Sequence, residues 1–151
     1  MFKVKRVLNS SDGIKISEIS TKFGFKGLRH IINFSTNSSS TELKLKGGLL
    51  KNYYDCNYLG NKYTIIKHHG HKTSIFKNNI QIGFYEKSKF KKLNSQKINL
   101  ICNADINQGL IYSFILALEL SYENHDEIVS VDLGNFTKEY KKFNPKWTPL
   151  N

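Results

Sequence analysis

The feature that most restricts the fold is a stretch, residues 105–123, without Lys or Arg in a chain otherwise rich in lysine. Its apolar and aromatic residues fall on every side of a helix, so no polar face remains to meet water. These residues are Ile106, Leu110, Ile111, Tyr112, Phe114, Ile115, Leu116, Ala117, Leu118, Leu120 and Tyr122. The pattern predicts a helix that the rest of the chain surrounds.

The chain before this helix consists of short segments separated by turn residues. Apolar and polar residues nearly alternate in segments such as 14–19 and 80–85, and pairs such as Asn78-Asn79 separate the segments. Short alternating runs joined by tight turns are typical of an antiparallel meander. We therefore predict a mainly β (α+β) fold, a closed antiparallel β-barrel of short strands wrapped around one hydrophobic C-terminal helix. Closure would also remove exposed strand edges.

The length of 151 residues predicts a single domain, 1–151. The low-complexity run STNSSST at 35–41 is predicted to be an internal loop, since too little sequence precedes it to fold alone. Residues 134–151 contain both prolines and the only Trp. We predict that this aromatic tail packs on the barrel, and we predict further strands at 87–93 and 128–133.

The net charge of +11 is unevenly distributed along the chain. Residues 1–104 hold 19 Lys and Arg against 5 Asp and Glu, whereas residues 105–127 hold no Lys or Arg and 5 Asp and Glu. Such a positive field favours anionic partners. Only Arg6 and Arg29 among the basic residues are Arg, and a chain heavy in Lys and Asn also fits a compositional bias. Both interpretations stay open.

Several classes of function lack their sequence signatures. The chain has no GxSxG, HExxH or glycine-rich phosphate loop, so we predict no enzyme and no cofactor. His68, His69 and His71 flank Gly70 but have no further ligands nearby, so we predict an exposed turn and no metal site. Polar residues interrupt the 105–123 stretch, so we do not predict that it spans a membrane.

Two further features of the sequence predict the cellular compartment of the protein. The N-terminus lacks the apolar run of a signal peptide, and Cys56 and Cys102 are expected to be reduced. We predict a cytoplasmic protein that also associates peripherally with a membrane.

The strongest candidate for a ligand site is a group of lysines near residue 90. Lys87, Lys89 and Lys91 alternate in KSKFKK, so on a strand they would share one face, with Lys92 adjacent. Like charges on one face repel unless an anion or solvent screens them. We predict an anion site at these lysines; the alternative is a solvated face that resists edge pairing.

The C-terminal half resembles a known superfamily. Residues 43–124, roughly, resemble tubby C-terminal-like proteins. The resemblance lies in the order of the segments: strands and turns, then the polar step Cys102-Asn103-Ala104-Asp105, then the apolar stretch GLIYSFILALEL at 109–120. That superfamily includes the LURP-one-related proteins and, more distantly, the phospholipid scramblases. The resemblance implies a barrel around a central helix, a non-enzymatic role, and binding of phosphoinositide headgroups through basic residues.

Together these observations predict a non-enzymatic barrel that binds an anionic ligand, such as a phosphoinositide or other acidic lipid headgroup, through surface Lys. Two alternatives stay open. One is a nucleic-acid-binding module in which Lys and exposed aromatic side chains contact backbone and bases. The other is a protein-interaction scaffold that uses the aromatic tail.

Overall fold

The computed structural model describes residues 4–24, 27–48, 51–87, 98–123 and 140–151. This part of the chain forms nine strands and one helix. They are β1 (Val4–Asn9), β2 (Lys15–Gly24), β3 (Gly27–Phe34), β4 (Ser40–Gly48), β5 (Lys51–Tyr58), β6 (Asn61–Lys67), β7 (Lys72–Lys77), β8 (Ile80–Lys87), β9 (Ile98–Cys102) and α1 (Gln108–Glu123). Each strand is hydrogen-bonded to the next one in the chain. The predicted mainly β fold, an antiparallel meander with one helix, is confirmed.

The predicted closure into a barrel is wrong. In the described ranges the strand order begins at β1 and ends at β9, with no pairing between these two strands. The prediction assumed that every apolar side chain of α1 must be buried. Tyr112 is instead 44% exposed and Leu116 is half-buried. A Tyr ring can keep its hydroxyl in water, and single exposed apolar groups are common, so α1 does not require an encircling sheet.

The residues cluster into two compact units. The first contains Met1–Leu45, Cys56–Tyr58 and Asn107–Asp132, and the second contains Lys46–Asp55, Leu59–Ile106 and Leu133–Asn151. Strands β4 and β5 contribute residues to both units. The predicted strand at 128–133 lies outside the described residues.

In the first unit, α1 packs against β2 and also contacts β1 and β3. Alternate residues of β3 are buried, namely Leu28, His30, Ile32 and Phe34, while the residues between them are less buried. This period of two gives the sheet an inner face for the helix and an outer face with its own side chains. The helix supplies the other half of this core with Leu110, Ile111, Phe114, Ile115, Ala117 and Leu118.

Small residues let α1 approach β2 closely. The hydroxyls of Ser17 and Ser113 lie 2.7 Å apart, and neither side chain is exposed. Because Ser113 donates its single hydroxyl proton to the Gly109 carbonyl, Ser17 is the donor between the two hydroxyls. A Cβ on Gly109 would lie 3.1 Å from Ile16 Cγ2, so glycine at this position permits the close packing.

The helix begins later than the predicted start at residue 105. Asn107 precedes α1, and its Oδ1 accepts a hydrogen bond from Leu110 N at 3.1 Å, which satisfies an amide of the first turn. Asn103 and Asp105, which could also cap a helix, lie in or beside the preceding turn. No helix in the described residues is long and apolar enough to cross a membrane.

The second unit contains the meander β6 to β9. Strands β7 and β8 are joined by Asn78 and Asn79, which have positive φ values of 49° and 70°. Asn tolerates this conformation better than most residues. The Asn78 side chain also accepts a hydrogen bond from Lys62 N at 2.9 Å, so the predicted Asn-Asn turn is confirmed.

Residues 140–151 lie against the same unit. Trp147 Nε1 donates to the Gln81 carbonyl at 3.1 Å, and its ring meets that of Phe84 edge-on at 5.9 Å. Phe143 packs against Phe84 at 5.3 Å, and Lys72 Nζ lies 4.7 Å from the centroid of the Phe143 ring. Aromatic contacts and one indole hydrogen bond thus hold this segment to β7 and β8. Residues 134–139 of the predicted tail lie outside the described residues.

Gly83 permits the close pairing of β8 and β9. It lies opposite Cys102, and a Cβ at this position would lie 2.9 Å from Cys102 Cβ and 3.0 Å from Ile101 O. We expect Gly83→Ala to lower the free energy of unfolding by about 1–3 kcal/mol, the usual cost of overpacking, measured by urea denaturation. The exposed residue Asn99 of β9 provides the control Asn99→Ala; an equal, small effect of both substitutions would contradict the close approach.

Candidate anion-binding site

Of the four lysines predicted from sequence to form an anion site, Lys87 lies within the described residues. Lys87 ends β8, where it pairs with Ile98 of β9, and its backbone N–H donates to the His71 carbonyl at 3.3 Å. Lys89, Lys91 and Lys92 lie outside the described residues. The grouping of these four lysines therefore stays a prediction.

The three clustered histidines have different environments. His68 is 3% exposed, and its Nε2 lies 2.8 Å from the Ser74 hydroxyl. His69 and His71 are exposed on the turn around Gly70. No group of three His, Cys, Asp or Glu able to hold a metal ion occurs in the described ranges.

The described residues do contain a second concentration of basic side chains, on the outer face of β1–β4 in the first unit. We call this surface the basic face. Lys5, Lys22, Arg29 and Lys44 supply its cations, and Glu18 and Glu42 supply its carboxylates. All of them lie on the opposite side of the sheet from the buried row that contains Ile19, His30 and Leu43.

Three of these cations lie side by side on adjacent strands. Lys22 of β2 is directly opposite Arg29 of β3, and Arg29 is directly opposite Lys44 of β4. We call these three residues the cation row. Directly opposed residues of an antiparallel pair have Cβ atoms roughly 5 Å apart, and like charges at that spacing repel. The register therefore concentrates positive charge that a bound anion would stabilise.

One carboxylate neutralises part of the cation row. Glu42 lies beside it on β4, with its Oε1 3.1 Å from Arg29 Nη1 and its Oε2 3.1 Å from Lys44 Nζ. Burial alone would raise the pKa of Glu42, but the bonds from Lys44 and Arg29 outweigh that effect and lower the pKa. Glu42 is therefore ionised at neutral pH, and it holds two of the three cations in fixed positions.

The remaining cation has no such partner. Lys22 makes no ion pair with any residue in the described part of the chain. The buried Arg29 Nε–H also lacks a hydrogen-bond partner there. The cation row, with one carboxylate against three cations, thus keeps a net positive charge. An ammonium group and a guanidinium group next to each other are suitable donors for phosphate oxygens.

Glu18 organises the neighbouring part of the basic face. Its two carboxylate oxygens lie 3.1 Å from Lys5 Nζ and 3.1 Å from Lys15 Nζ. Hydrogen bonds from Lys15 and Lys5 lower the pKa of Glu18. These pairs are largely exposed, so they position the lysines without contributing much stability.

A symmetric signal in the sequence could have revealed the cation row. Gly24 pairs with Gly27 at the end of the β2–β3 hairpin, and Gly27 has a positive φ of 81°. Lys22 and Arg29 lie two residues from these glycines on either side, so a hairpin closed by them must place the two cations opposite each other. Lys44 has no such local signal.

The fold and this surface together define an antiparallel β-sheet protein with one packed helix and a basic sheet face. Comparisons of the chain with models of protein families, with curated proteins and with solved structures found no match. The tubby C-terminal-like resemblance therefore stays a prediction.

Proposed function

We propose that this protein binds an anionic, phosphate-bearing ligand, such as a phosphoinositide or other acidic lipid headgroup, on the basic face. The observation that supports this proposal is the cation row. Lys22, Arg29 and Lys44 lie in register on three adjacent strands, and one carboxylate, that of Glu42, pairs with two of them. A phosphate group that contacts the row relieves the repulsion among the three cations.

Each member of the row has a distinct role in this proposal. Arg29 is only 26% exposed and is held by Glu42, so it supplies a rigid, planar donor. Lys44 is 45% exposed at its side chain and reaches the ligand from the other side of Arg29. Lys22 supplies the cation without a carboxylate partner. The ligand is bound and not transformed, so the proposed protein has no catalytic residue.

A nucleic-acid ligand is the less favoured alternative. Modules that bind single strands combine basic grooves with aromatic side chains on which bases stack. The outer face of β1–β4 carries no aromatic side chain in the described residues. Glu18 and Glu42 would also repel the phosphate backbone of a nucleic acid that extends along this face. A gel shift with single-stranded DNA or RNA at low salt would support this alternative.

The test of the proposal replaces Lys22 and Lys44, two cations of the row. Glu42 keeps its ion pair with Arg29 in this variant. We expect the double variant Lys22→Gln/Lys44→Gln to bind inositol trisphosphate roughly thirtyfold more weakly than the wild type, since each cation near a phosphate contributes on the order of 1 kcal/mol. Isothermal titration calorimetry measures the affinity. Wild-type affinity should also fall as salt is added, because salt screens exposed charges.

The matched control is Lys142→Gln/Lys146→Gln, which removes the same charge from two exposed residues of the second unit. It should retain wild-type affinity within about twofold if location, and not net charge, determines binding. An equal loss in both double variants would refute the cation row as the site. A wild-type protein without measurable affinity for inositol trisphosphate would refute the proposed function.

A further inference from the structure

One exposed aromatic residue, Phe23, lies next to two members of the cation row on the β2–β3 hairpin. Phe23 is 72% exposed, and it is followed by Gly24, which pairs with Gly27 at the last described pair of β2 and β3. Leu28, which lies opposite Phe23, is 9% exposed. Exposed apolar side chains are common when they stand alone, so the neighbours of Phe23 decide whether its exposure has a role.

Cations flank Phe23 on the same short stretch of hairpin. Lys22 precedes it, and Arg29 follows its pairing partner Leu28. Because successive side chains of a strand point to opposite faces, Phe23 lies on one side of the hairpin, and Lys22 and Arg29 lie on the other. Lysine and arginine have long apolar stems that let their charged groups extend along a surface. These two adjacent pairs therefore present an aromatic ring on one face of the hairpin and two cations on the other.

This combination suits a surface more than a small dissolved molecule. A free phosphate compound can contact the cation row but leaves Phe23 in water. The surface of a bilayer with acidic lipids offers phosphate groups to the cations and an apolar boundary to the ring at the same time. Each type of contact alone gives weak, reversible membrane binding, and the two together are more effective.

We propose that Phe23 and the adjoining cation row dock on the surface of an anionic bilayer, with Phe23 inserted at the boundary between headgroups and acyl chains. The cation row contacts the lipid phosphates beside it. This inference rests on the proposed function, since it uses the same cations, and it adds the source of the phosphate and the residue that enters the membrane. The charges are complementary, because the row is positive and the lipid surface is negative.

The first experiment compares full-length variants by co-sedimentation with vesicles of phosphatidylcholine alone or with about 20 mol% phosphatidylserine. We expect wild-type protein to bind the anionic vesicles only. Phe23→Ser should reduce this binding about tenfold, because the ring no longer leaves water, yet retain wild-type affinity for inositol trisphosphate. Lys22→Gln/Lys44→Gln should weaken both interactions.

Ile80→Ser is the matched control. Ile80 is 68% exposed at the start of β8, so its replacement removes a similar exposed apolar group from a site without a proposed role. It should bind anionic vesicles like the wild type. Unchanged vesicle binding by Phe23→Ser, or binding of inositol trisphosphate without any vesicle binding, would overturn the insertion and leave the proposed function standing. Absence of both interactions in the wild type would overturn both.

A second variant reports insertion directly and avoids the loss of an apolar group. Phe23→Trp adds one indole to a protein whose only other Trp is Trp147. We expect its emission, after subtraction of the wild-type spectrum, to shift to shorter wavelength when anionic vesicles are added, and to stay unchanged with phosphatidylcholine vesicles. No shift with anionic vesicles would overturn the proposal. A shift that depends on protein concentration without vesicles would indicate contact with a second copy instead, and would equally overturn it.

Discussion

Replacing Phe114 by alanine is expected to lower the free energy of unfolding by about 3–5 kcal/mol, the usual cost of removing a buried aromatic ring. Phe114 is 0% exposed and lies in the middle of α1, which packs against β2. Removing the ring loses the free energy that its burial away from water contributes. It also leaves a cavity that the helix and sheet fill only in part. Because total stabilities are typically about 5–15 kcal/mol, the loss is a large fraction of the whole. Urea denaturation at neutral pH measures it.

Tyr112→Ala on the same helix is the matched control. Tyr112 is 44% exposed, so the same truncation should cost less than about 1 kcal/mol. The two variants together test which side of α1 faces the core. Equal losses would contradict the exposed position of Tyr112 and would favour the encircled helix that the sequence predicted. A small loss for Phe114→Ala would contradict the packing of α1.

The second large effect is expected from acid. His30 is 0% exposed on the inner face of β3, and its Nδ1 lies 3.0 Å from the Thr21 hydroxyl. Burial lowers the pKa of His30 to about 4, whereas in the unfolded chain the pKa is about 6.5. Between these pH values the unfolded chain binds more protons at His30 than the folded protein does. The contribution of neutral, buried His30 to the free energy of unfolding is therefore fully present above about pH 6.5 and is lost as the pH falls toward 4. We expect a loss of about 2 kcal/mol between about pH 7 and pH 5.

Urea denaturation of the wild type and of His30→Gln at a series of pH values measures this effect. The Gln variant has no ionisable group at this position, so the pH dependence should be smaller by the amount that His30 contributes. The carboxyls Glu18 and Glu42 also have lowered pKa values, but they lose their contribution below about pH 4.5, outside this window. His69→Gln, at an exposed residue, serves as control. Identical pH dependence of wild type and His30→Gln would contradict the prediction.

Much of the strand pattern could be predicted from neighbouring residues. The alternation in 80–85 predicted β8, which spans Ile80–Lys87. The Asn78-Asn79 turn before this strand was predictable because few other residues adopt a positive φ at low cost. Such patterns depend on interactions a few residues apart, which the sequence shows directly.

The start of the helix and the closure of the sheet were predicted wrongly for related reasons. Three residues in this region can cap a helix, namely Asn103, Asp105 and Asn107. The structure uses Asn107, and a helix that starts after it places Gly109 next to Ile16 of β2. Closure was inferred chiefly from the apolar surface of α1. The hydrophobic pattern of a helix states which side chains favour burial but not which of them stay partly exposed, such as Tyr112.

The candidate site shows the same division. Two of the three residues of the cation row were accessible to sequence reasoning, since Gly24 and Gly27 place Lys22 opposite Arg29. Lys44 joins them only through the pairing of β3 with β4. Phe23 was one aromatic residue among many in the sequence, and only its exposure in the structure distinguishes it.

The sequence by itself determined the strands, the turns and the stretch that becomes α1, because alternation, turn residues and apolar content act over short distances. The tertiary structure decided which side of α1 is buried, where the sheet ends, and which cations become neighbours. These outcomes depend on strand register and on packing between residues distant in the chain. A one-residue shift in the pairing of a strand would move all its side chains to the other face of the sheet. The 105–123 stretch required a sheet to cover it, but only the fold shows that β2 with its two neighbours is the sheet that it packs against.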